Sequence, residues 1–204
     1  MTASVHDDPR SDGELVEAIN TGDDGAFEAL YYRYRDWVHG VATRFTHDHD
    51  LALDVLQETF AYVLRKCPSL KLTAEMKTFL YPVIKHTAIA LRRKSLRFVS
   101  DDEALANLNA PPDPRRGTTG SLPASADSLG GPRDESPRAE LASALRLLPT
   151  EQRETLLMRF VDDMTLQEIA DALNIPLGTV KSRLHRALKT LRENENTRRY
   201  FDEM

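Results

Sequence analysis

The chain has 204 residues, of which 41% are hydrophobic and 29% charged, and its formal net charge is −5. This composition suits one large or two small folded domains, and no apolar run approaches the roughly 20 residues of a membrane-spanning helix. The acidic amino terminus lacks the apolar core of a secretory signal, and the single Cys67 excludes an intrachain disulfide. We therefore expect a cytoplasmic protein in which Cys67 is a structural thiol on an apolar helical face.

The negative charge is concentrated at the amino terminus, where residues 1–24 contain seven acidic side chains and one basic one. We assign these residues to an acidic tail. Without them the chain is close to neutral, and two basic islands stand out that could both face phosphate. The first island contains Lys85, Arg92, Arg93, Lys94 and Arg97, and the second contains Lys181, Arg183, Arg186, Lys189 and Arg192.

Three helices are predicted after the tail. Apolar residues spaced by three and four predict a long helix over residues 27–45 and a second over 52–64, which ends near Pro68. We expect these two to pair antiparallel. A third helix is predicted over about residues 73–97, and Pro82 inside it predicts a kink or a break, because proline removes a backbone donor.

Residues 99–137 are rich in proline, glycine, serine, aspartate and alanine, which is typical of a mostly irregular linker. Helical periodicity returns at 139–148 and continues to a helix-turn-helix, so residues 138–193 predict a compact module of four helices. A tail over 194–204 follows. The fold class is therefore all-α: two small helical domains joined by a flexible linker, with the helix-turn-helix in the carboxyl-terminal domain.

The helix-turn-helix over residues 165–192 is the most informative segment. Thr165, followed three residues later by Glu168, predicts a capping box at the start of its first helix. Asn174, Ile175 and Pro176 predict the turn, after which Thr179 is expected to open the second helix. One face of that helix is apolar and packs against the rest of the domain; it contains Val180, Leu184, Ala187, Leu188 and Leu191.

The opposite face of the second helix is basic and polar, as suits the major groove of DNA, where arginine and lysine can reach guanine acceptors. A solvated surface helix is the alternative interpretation for such a face. We find no glycine-rich phosphate loop, nucleophile elbow or catalytic carboxylate pair, so no enzyme and no cofactor are expected. The His-Asp-His-Asp segment at 47–50 contains ligand types for a metal, but alternating residues in a polar loop rarely converge on one ion, and no metal is predicted.

The whole arrangement resembles the extracytoplasmic-function (ECF) group of bacterial sigma factors, the small two-domain initiation factors of RNA polymerase. The most specific segments are DVLQETFAYVLRK at 54–66 and TLQEIADALNIPLGTVKSRLHRAL at 165–188. The resemblance implies that residues 25–98 form a region 2-like domain, which binds core polymerase and the promoter −10 element. It implies that residues 138–193 form a region 4-like domain, which binds the −35 element.

The resemblance also assigns roles to individual residues. Docking on core polymerase is implied for Asp54, Gln57, Glu58 and Thr59. Binding of the −10 element is implied for Phe79, Lys85, His86, Arg92, Arg93 and Lys94. Binding of the −35 element is implied for Thr179, Lys181, Ser182, Arg183, His185 and Arg186. This chain departs from the family pattern at four positions. Phe79 stands where the family commonly has tryptophan, Pro82 where it has a basic residue, His86 where it often has asparagine and Ala90 where aspartate is frequent. These departures imply an unusual −10 element or weaker melting.

The leading hypothesis is a promoter-specificity subunit that recognises the promoter and helps to melt it without ATP. Its expected partners are core RNA polymerase, double-stranded −35 DNA, opened −10 DNA and an anti-sigma factor, and it would be associated with the nucleoid when in holoenzyme. A stand-alone helix-turn-helix transcriptional regulator is the second hypothesis, because such modules occur in many contexts. A pure protein-interaction module, in which the basic islands are solvated, is the third.

Overall fold

The computed structural model describes residues 8–108, 137–194 and 197–198, and within these ranges every regular element is helical. The all-α prediction is confirmed. The helices are α1 (Asp12–Asn20), α2 (Asp24–Thr46), α3 (His49–Lys66), α4 (Met76–Leu108), α5 (Pro137–Leu147), α6 (Thr150–Phe160), α7 (Leu166–Leu173) and α8 (Leu177–Glu193).

Helices α2, α3 and α4 pack against one another around a shared core, in which Val41, Val55, Val63 and Ile84 are fully buried. The chain reverses between α2 and α3 at His47, whose left-handed conformation (φ 55°) ends α2. The predicted polar loop is therefore shorter than residues 47–50, because α3 already begins at His49. In the part of the chain that the structure describes, no group of histidine, cysteine, aspartate or glutamate side chains is arranged to hold a metal ion.

Part of the predicted acidic tail is a packed helix, which corrects the assignment of residues 1–24. Ser11 and Glu14 form a capping box: the Ser11 amide donates to Glu14 Oε2 at 2.7 Å, and the Glu14 amide donates to Ser11 Oγ at 3.3 Å. The Ser11 hydroxyl also donates to Glu14 Oε2, at 2.7 Å, and this bond, followed by the one from the Ser11 amide, holds the pKa of the Glu14 carboxyl below its usual value. Leu15 and Val16 are buried where α1 packs on α2. Glu14 and Glu17 lie on the exposed side of this amphipathic helix, whereas the Asp12 carboxylate faces α2 and accepts hydrogen bonds from Arg33 and the Tyr34 hydroxyl.

Helix α4 extends to Leu108, beyond the predicted end at Arg97, so the first residues of the predicted linker are helical. Residues 109–136 of that linker lie outside the described residues. The helix also continues through Pro82 without the break that the sequence allowed. Side chains on both sides of Pro82, among them Leu80, Tyr81 and Ile84, are buried in the core, and this packing holds the helix together where one backbone hydrogen bond is missing.

The carboxyl-terminal module contains the four helices that the sequence predicts, α5 to α8. The capping box of α7 is confirmed: the Thr165 amide donates to Glu168 Oε2, and the Glu168 amide donates to Thr165 Oγ1 at 3.2 Å. Helix α7 ends at Asn174 in the left-handed conformation. Helix α8 begins at Leu177, two residues before the predicted Thr179, because Pro176 is already suited to the position before a helix. The module that carries the predicted DNA-binding face is therefore built as expected. Of the predicted tail over 194–204, only residues 194 and 197–198 are described.

Three further observations concern the described residues as a whole. Cys67 is a free cysteine, 2% exposed at the end of α3, which confirms it as a structural thiol. Among the helices of the described segments, none has the length and apolar character that crossing a membrane requires. The two helical domains are in direct contact, since α4 packs against α7.

Candidate functional site

The polar face of α8 presents four of the six residues predicted to bind the −35 element. Lys181, Ser182, His185 and Arg186 are all exposed, and the side of the helix behind them is buried through Val180, Leu184, Ala187 and Leu191. Two further exposed cations, Lys189 and Arg192, continue the face towards the end of the helix. The exposed side chains from 181 to 192 are thus basic or neutral, and their placement on one rigid helix suits contact with a DNA groove.

Arg183 and Thr179 lie at the edge of this face. The Arg183 guanidinium forms an ion pair with Glu151 of α6, and its side chain is only 19% exposed. Thr179 is half-buried in the first turn, where its backbone carbonyl accepts a hydrogen bond from the Ser182 hydroxyl. The structure therefore separates the predicted set into four exposed residues and two that are partly buried, of which Arg183 contacts α6.

The outer face of α3 brings together three of the four residues predicted to dock on polymerase. Asp54, Gln57 and Glu58 are exposed, whereas Thr59 is completely buried. The burial of Thr59 corrects its assignment to this surface. Thr59 lies four residues after Val55 and four before Val63, so helical spacing places it on the core face.

Two exposed leucines on α3 were missed by sequence reasoning. Leu53 is 38% exposed and Leu64 is 46% exposed, and the helical periodicity places both on the same side as Gln57. The acidic residues Asp54 and Glu58 flank this strip. An apolar strip with an acidic border is a reasonable docking surface for a basic and apolar partner. The sequence contained a signal for this strip, because the spacing of Leu53, Gln57 and Leu64 places the two leucines on the same side of the helix as a polar residue.

The residues predicted to bind the −10 element divide between two faces of α4. Phe79, His86 and Arg93 follow one another at intervals of seven and share one face, and Lys94 is exposed beside it. The Phe79 ring lies 6.3 Å from the Tyr62 ring of α3. Together they line an open cleft of about 450 Å³. Its walls also contain Pro82, Val83, His86 and Thr87, so three of the four residues that differ from the family pattern, Phe79, Pro82 and His86, line this cleft.

Lys85 and Arg92, also seven residues apart, occupy the other face of α4. This face is turned towards the carboxyl-terminal domain. Lys85 Nζ lies 2.7 Å from Oε1 of Glu154 in α6, and the Tyr81 hydroxyl donates to the same oxygen at 2.9 Å. Burial and the neighbouring Glu154 carboxylate raise the pKa of Tyr81, so the phenol stays protonated and can donate. Arg92 donates to the Phe45 carbonyl at 3.2 Å.

Asp162, in the loop between α6 and α7, forms a second contact between the domains. Its carboxylate accepts from Trp37 Nε1 at 2.9 Å and from Arg44 at 2.6 Å, both on α2. Lys77 of α4 donates to its backbone carbonyl at 2.6 Å. Asp162 is only 2% exposed, so its charge is buried and fully paired by the other domain.

A cavity of about 600 Å³ lies between the two polar contacts. His47 and Arg92 contribute to its wall from the amino-terminal domain, and Arg153 contributes from α6. Partial burial of the imidazole, followed by the charges of Arg92, Arg153 and Arg146, lowers the pKa of His47. Sequence reasoning missed this interface, because its partners are more than 60 residues apart in the chain and follow no local period.

Comparison with known proteins identifies the two domains. The family model for Sigma-70 region 2 matches residues 30–98, and that for Sigma-70, region 4 matches residues 138–191. The RNA polymerase sigma-H factor of Pseudomonas aeruginosa is 28% identical over 193 residues, which cover 88% of this chain and 91% of that protein. The ECF RNA polymerase sigma factor SigW of Bacillus subtilis is 27% identical, over 87% of this chain and 93% of that protein.

Two solved structures share the fold. One is the sigma factor RpoE in complex with the anti-sigma factor NepR from Bartonella quintana, with a TM-score of 0.54 and 22% identity over 82% of this chain and 94% of that chain. The other is CnrH in complex with the cytosolic domain of CnrY, with a TM-score of 0.59 and 20% identity over 88% of this chain and 93% of that chain. At these identities the likeness concerns the fold alone.

Proposed function

Since this chain belongs to the ECF group of the sigma-70 family, and as a sigma factor binds core RNA polymerase and directs promoter-specific transcription initiation, we propose that three separate helical faces divide this work. They are the outer face of α3, the Phe79 face of α4 and the polar face of α8. The protein acts by binding and positioning rather than by catalysing a reaction. The observation that carries the proposal is the clustering of exposed basic residues on α8.

The polar face of α8 is proposed to read the −35 element. Lys181 and Arg186 are long, exposed cations that can reach guanine acceptors or phosphates, while Ser182 and His185 lie between them. Arg183 contributes in this scheme once its guanidinium leaves Glu151, and Thr179 approaches the backbone from the helix start. The arrangement suits the recognition helix of a helix-turn-helix, whose early residues face the base edges.

The Phe79 face of α4 is proposed to bind the −10 element. The cleft beside Phe79 offers aromatic and apolar walls, on which an unpaired base can stack. Arg93 and Lys94, both exposed, supply positive charge for the phosphates of the same strand. His86 lines this cleft where the family often has asparagine, and an imidazole does not offer the donor and acceptor pair of an amide. We therefore propose a −10 preference that differs from the usual one.

The outer face of α3 is proposed to dock on core polymerase through Asp54, Gln57 and Glu58. Leu53 and Leu64 would add apolar contact area to these polar groups. This face and the polar face of α8 belong to different domains, so substitutions can separate the two activities.

The test is reconstituted transcription with purified core polymerase. Replacing both Asp54 and Glu58 by alanine is expected to abolish capture of core polymerase and specific transcripts, while binding to duplex DNA is retained. Glu28→Ala, at an exposed position on α2, is the matched control and should leave both activities unchanged. A stand-alone regulator would instead show no capture of core polymerase by the unsubstituted chain.

Arg186→Ala is the complementary variant. Loss of a base contact is expected to cost about 1 to 3 kcal/mol in affinity for −35 DNA, with capture of core polymerase unchanged. Unchanged DNA affinity would favour the interpretation of α8 as a solvated surface.

The cellular setting is also a proposal. Because core polymerase and the chromosome are its targets, we place the chain in the cytoplasm, at the nucleoid when in holoenzyme. An anti-sigma factor is proposed as a further partner, since RpoE, which shares the fold, is bound to the anti-sigma factor NepR.

A further inference from the structure

We propose that the cavity between the two domains is a binding site for a small phosphate ester with an aromatic group, such as a nucleotide. The cavity is lined by residues of α2, of α4 and of α6 with its preceding turn. None of its lining residues belongs to the three helical faces proposed for polymerase and promoter DNA. The inference therefore goes beyond the proposed function and does not depend on it.

The wall of the cavity has an excess of positive charge. The described residues that line it include three arginines and one glutamate: Arg44, Arg92, Arg153 and Glu154. The Arg44 guanidinium already forms an ion pair with Asp162 at 2.6 Å. The Glu154 carboxylate forms one with Lys85 at 2.7 Å. In the described part of the chain no ion pair joins Arg92 or Arg153 to a carboxylate, so two guanidinium groups remain to receive an anion.

His47 reflects this positive potential. Partial burial, followed by the charges of Arg92, Arg153 and Arg146, lowers the pKa of its imidazole. The same charges that disfavour a cation at this point favour an anion. The electrostatics of the cavity therefore select a negatively charged ligand.

The donors in the wall suit a phosphate group. Arginine presents a planar fork of donors that matches two phosphate oxygens at once. Thr150, the first residue of α6, also lines the cavity, and this helix begins after Pro149 without a side-chain cap. The amides of its first turn are thus open to an anion. Glu151, the acidic residue of that turn, is paired with Arg183, and neither lines the cavity.

The rest of the wall suits an apolar or aromatic group. Phe45 and Leu157 line the cavity and are half-buried, and the rings of Phe45 and Tyr81 meet edge to face with their centroids 6.1 Å apart. The volume of about 600 Å³ is that of a small-molecule site. A phosphate attached to an aromatic group therefore fits the cavity better than inorganic phosphate does.

The test is isothermal titration calorimetry of the full chain with adenosine monophosphate (AMP), inorganic phosphate and adenosine. We expect AMP to bind at one site per chain, and more tightly than either of its parts. The advantage over adenosine should be about tenfold or more, which is the factor that a hydrogen bond between charged groups contributes.

Substitutions assign the ionic part of the site. Arg92→Gln and Arg153→Gln each remove one guanidinium and should weaken AMP binding by about tenfold or more. Arg153→Lys keeps the charge without the planar fork, so its affinity should lie between those of the glutamine variant and the unsubstituted chain. Arg65→Gln, at an exposed position on α3, is the matched control and should bind AMP normally. Circular dichroism verifies that each variant is folded.

Nuclear magnetic resonance locates the ligand independently of the variants. A phosphate beside Arg92 and Arg153 offsets their charges, so the pKa of His47, followed through its Cε1 proton, should rise when AMP binds. The titration of His185, on the polar face of α8, should not change.

Four results would overturn the proposal. The first is absence of AMP binding at millimolar concentration, and the second is normal AMP binding by both glutamine variants. The third is equal affinity for inorganic phosphate and AMP, which would show that the apolar wall takes no part. The fourth is a response of His185 in place of His47, which would put AMP on the polar face of α8. These measurements need no polymerase or promoter, so their failure is distinguishable from failure of the proposed function.

Discussion

Asn174 sets the angle between the two helices of the helix-turn-helix. It has a left-handed conformation (φ 52°, ψ 50°), and its amide donates back to the last turn of α7. Asparagine tolerates this conformation better than other side chains that carry a Cβ atom. The choice of residue at this single position therefore helps to aim α8.

We predict that Asn174→Ala destabilises the carboxyl-terminal domain by about 1 to 2 kcal/mol, since alanine has no local compensation for a left-handed backbone. Asn174→Gly should be close to neutral, because glycine adopts this conformation without strain. Urea unfolding followed by circular dichroism measures both. Equal stability of the alanine and glycine variants would contradict the conformational explanation.

Cys67 provides a second test at the scale of one residue. The thiol is buried, and burial raises its pKa, so less of the reactive thiolate forms at a given pH. We predict slow reaction with a thiol reagent in the native protein and rapid reaction in urea. Rapid labelling under native conditions would show that the end of α3 opens readily.

Single residues were predictable where their partners are local. Thr165 and Glu168 are three residues apart, and their capping box follows from the sequence alone. The Trp37 and Asp162 pair is separated by 125 residues, and neither position belongs to a motif. Nothing in the sequence at either position indicates the other, because the pairing depends on how two complete domains meet.

At the scale of elements, α1 is the main addition to what the sequence predicted. The seven acidic residues suggested a solvated tail, but Leu15, Val16 and Ile19 form a buried strip on α2. The Ser11 and Glu14 capping box was visible in the sequence, and it marks the start of the helix. The many acidic residues of this segment led to its assignment as a tail, although the spacing of Leu15, Val16 and Ile19 is that of a short amphipathic helix.

We predict that Leu15→Ala lowers the free energy of unfolding of the amino-terminal domain by about 2 to 5 kcal/mol, as for other buried leucines. Glu17→Ala, at an exposed position on the same helix, is the control and should change stability by less than about 0.5 kcal/mol. Thermal unfolding measures the difference. A tail residue would show no such difference, so similar midpoints would contradict the packed helix.

The other helices were predictable in number and buried face, but less so in their ends. Periodicity gives the face of a helix, whereas its ends depend on caps and on contacts made elsewhere. Helix α4 continues past Arg97 although the composition changes there, and α8 starts before Thr179 because Pro176 can precede a helix directly. On α3 the same periodicity would have placed Thr59 in the core.

At the scale of the whole molecule, the contact between the domains relies on buried polar groups. Two carboxylates of the carboxyl-terminal domain, Asp162 and Glu154, accept from donors on α2 and α4. We call the arrangement in which the two domains are in contact the closed state. Water and counter-ions can replace these polar contacts, so the closed state can open reversibly. The polar contacts also make the arrangement sensitive to charge changes nearby.

His47 is a titratable group at this contact between the domains. It lines the cavity between the domains, where its partial burial and the charges of Arg92, Arg153 and Arg146 lower its pKa. Arg153 and Arg146 belong to the carboxyl-terminal domain, so closure itself contributes to the shift. The closed state thus favours the neutral imidazole, and an opened state would have a pKa nearer the ordinary value of 6.5.

The sign of the pH dependence follows from these proton affinities. Above about pH 6.5 the imidazole is neutral in both states, and closure is fully favourable. As the pH falls below that value the open state binds the proton first, so the closed state is progressively destabilised. We predict that Trp37 emission shifts to longer wavelength between about pH 7.5 and about pH 5.5. His47→Asn, which preserves the left-handed backbone, should flatten this titration, whereas His49→Asn, on the exposed start of α3, should not. An unaltered titration in His47→Asn would assign the pH response to another group.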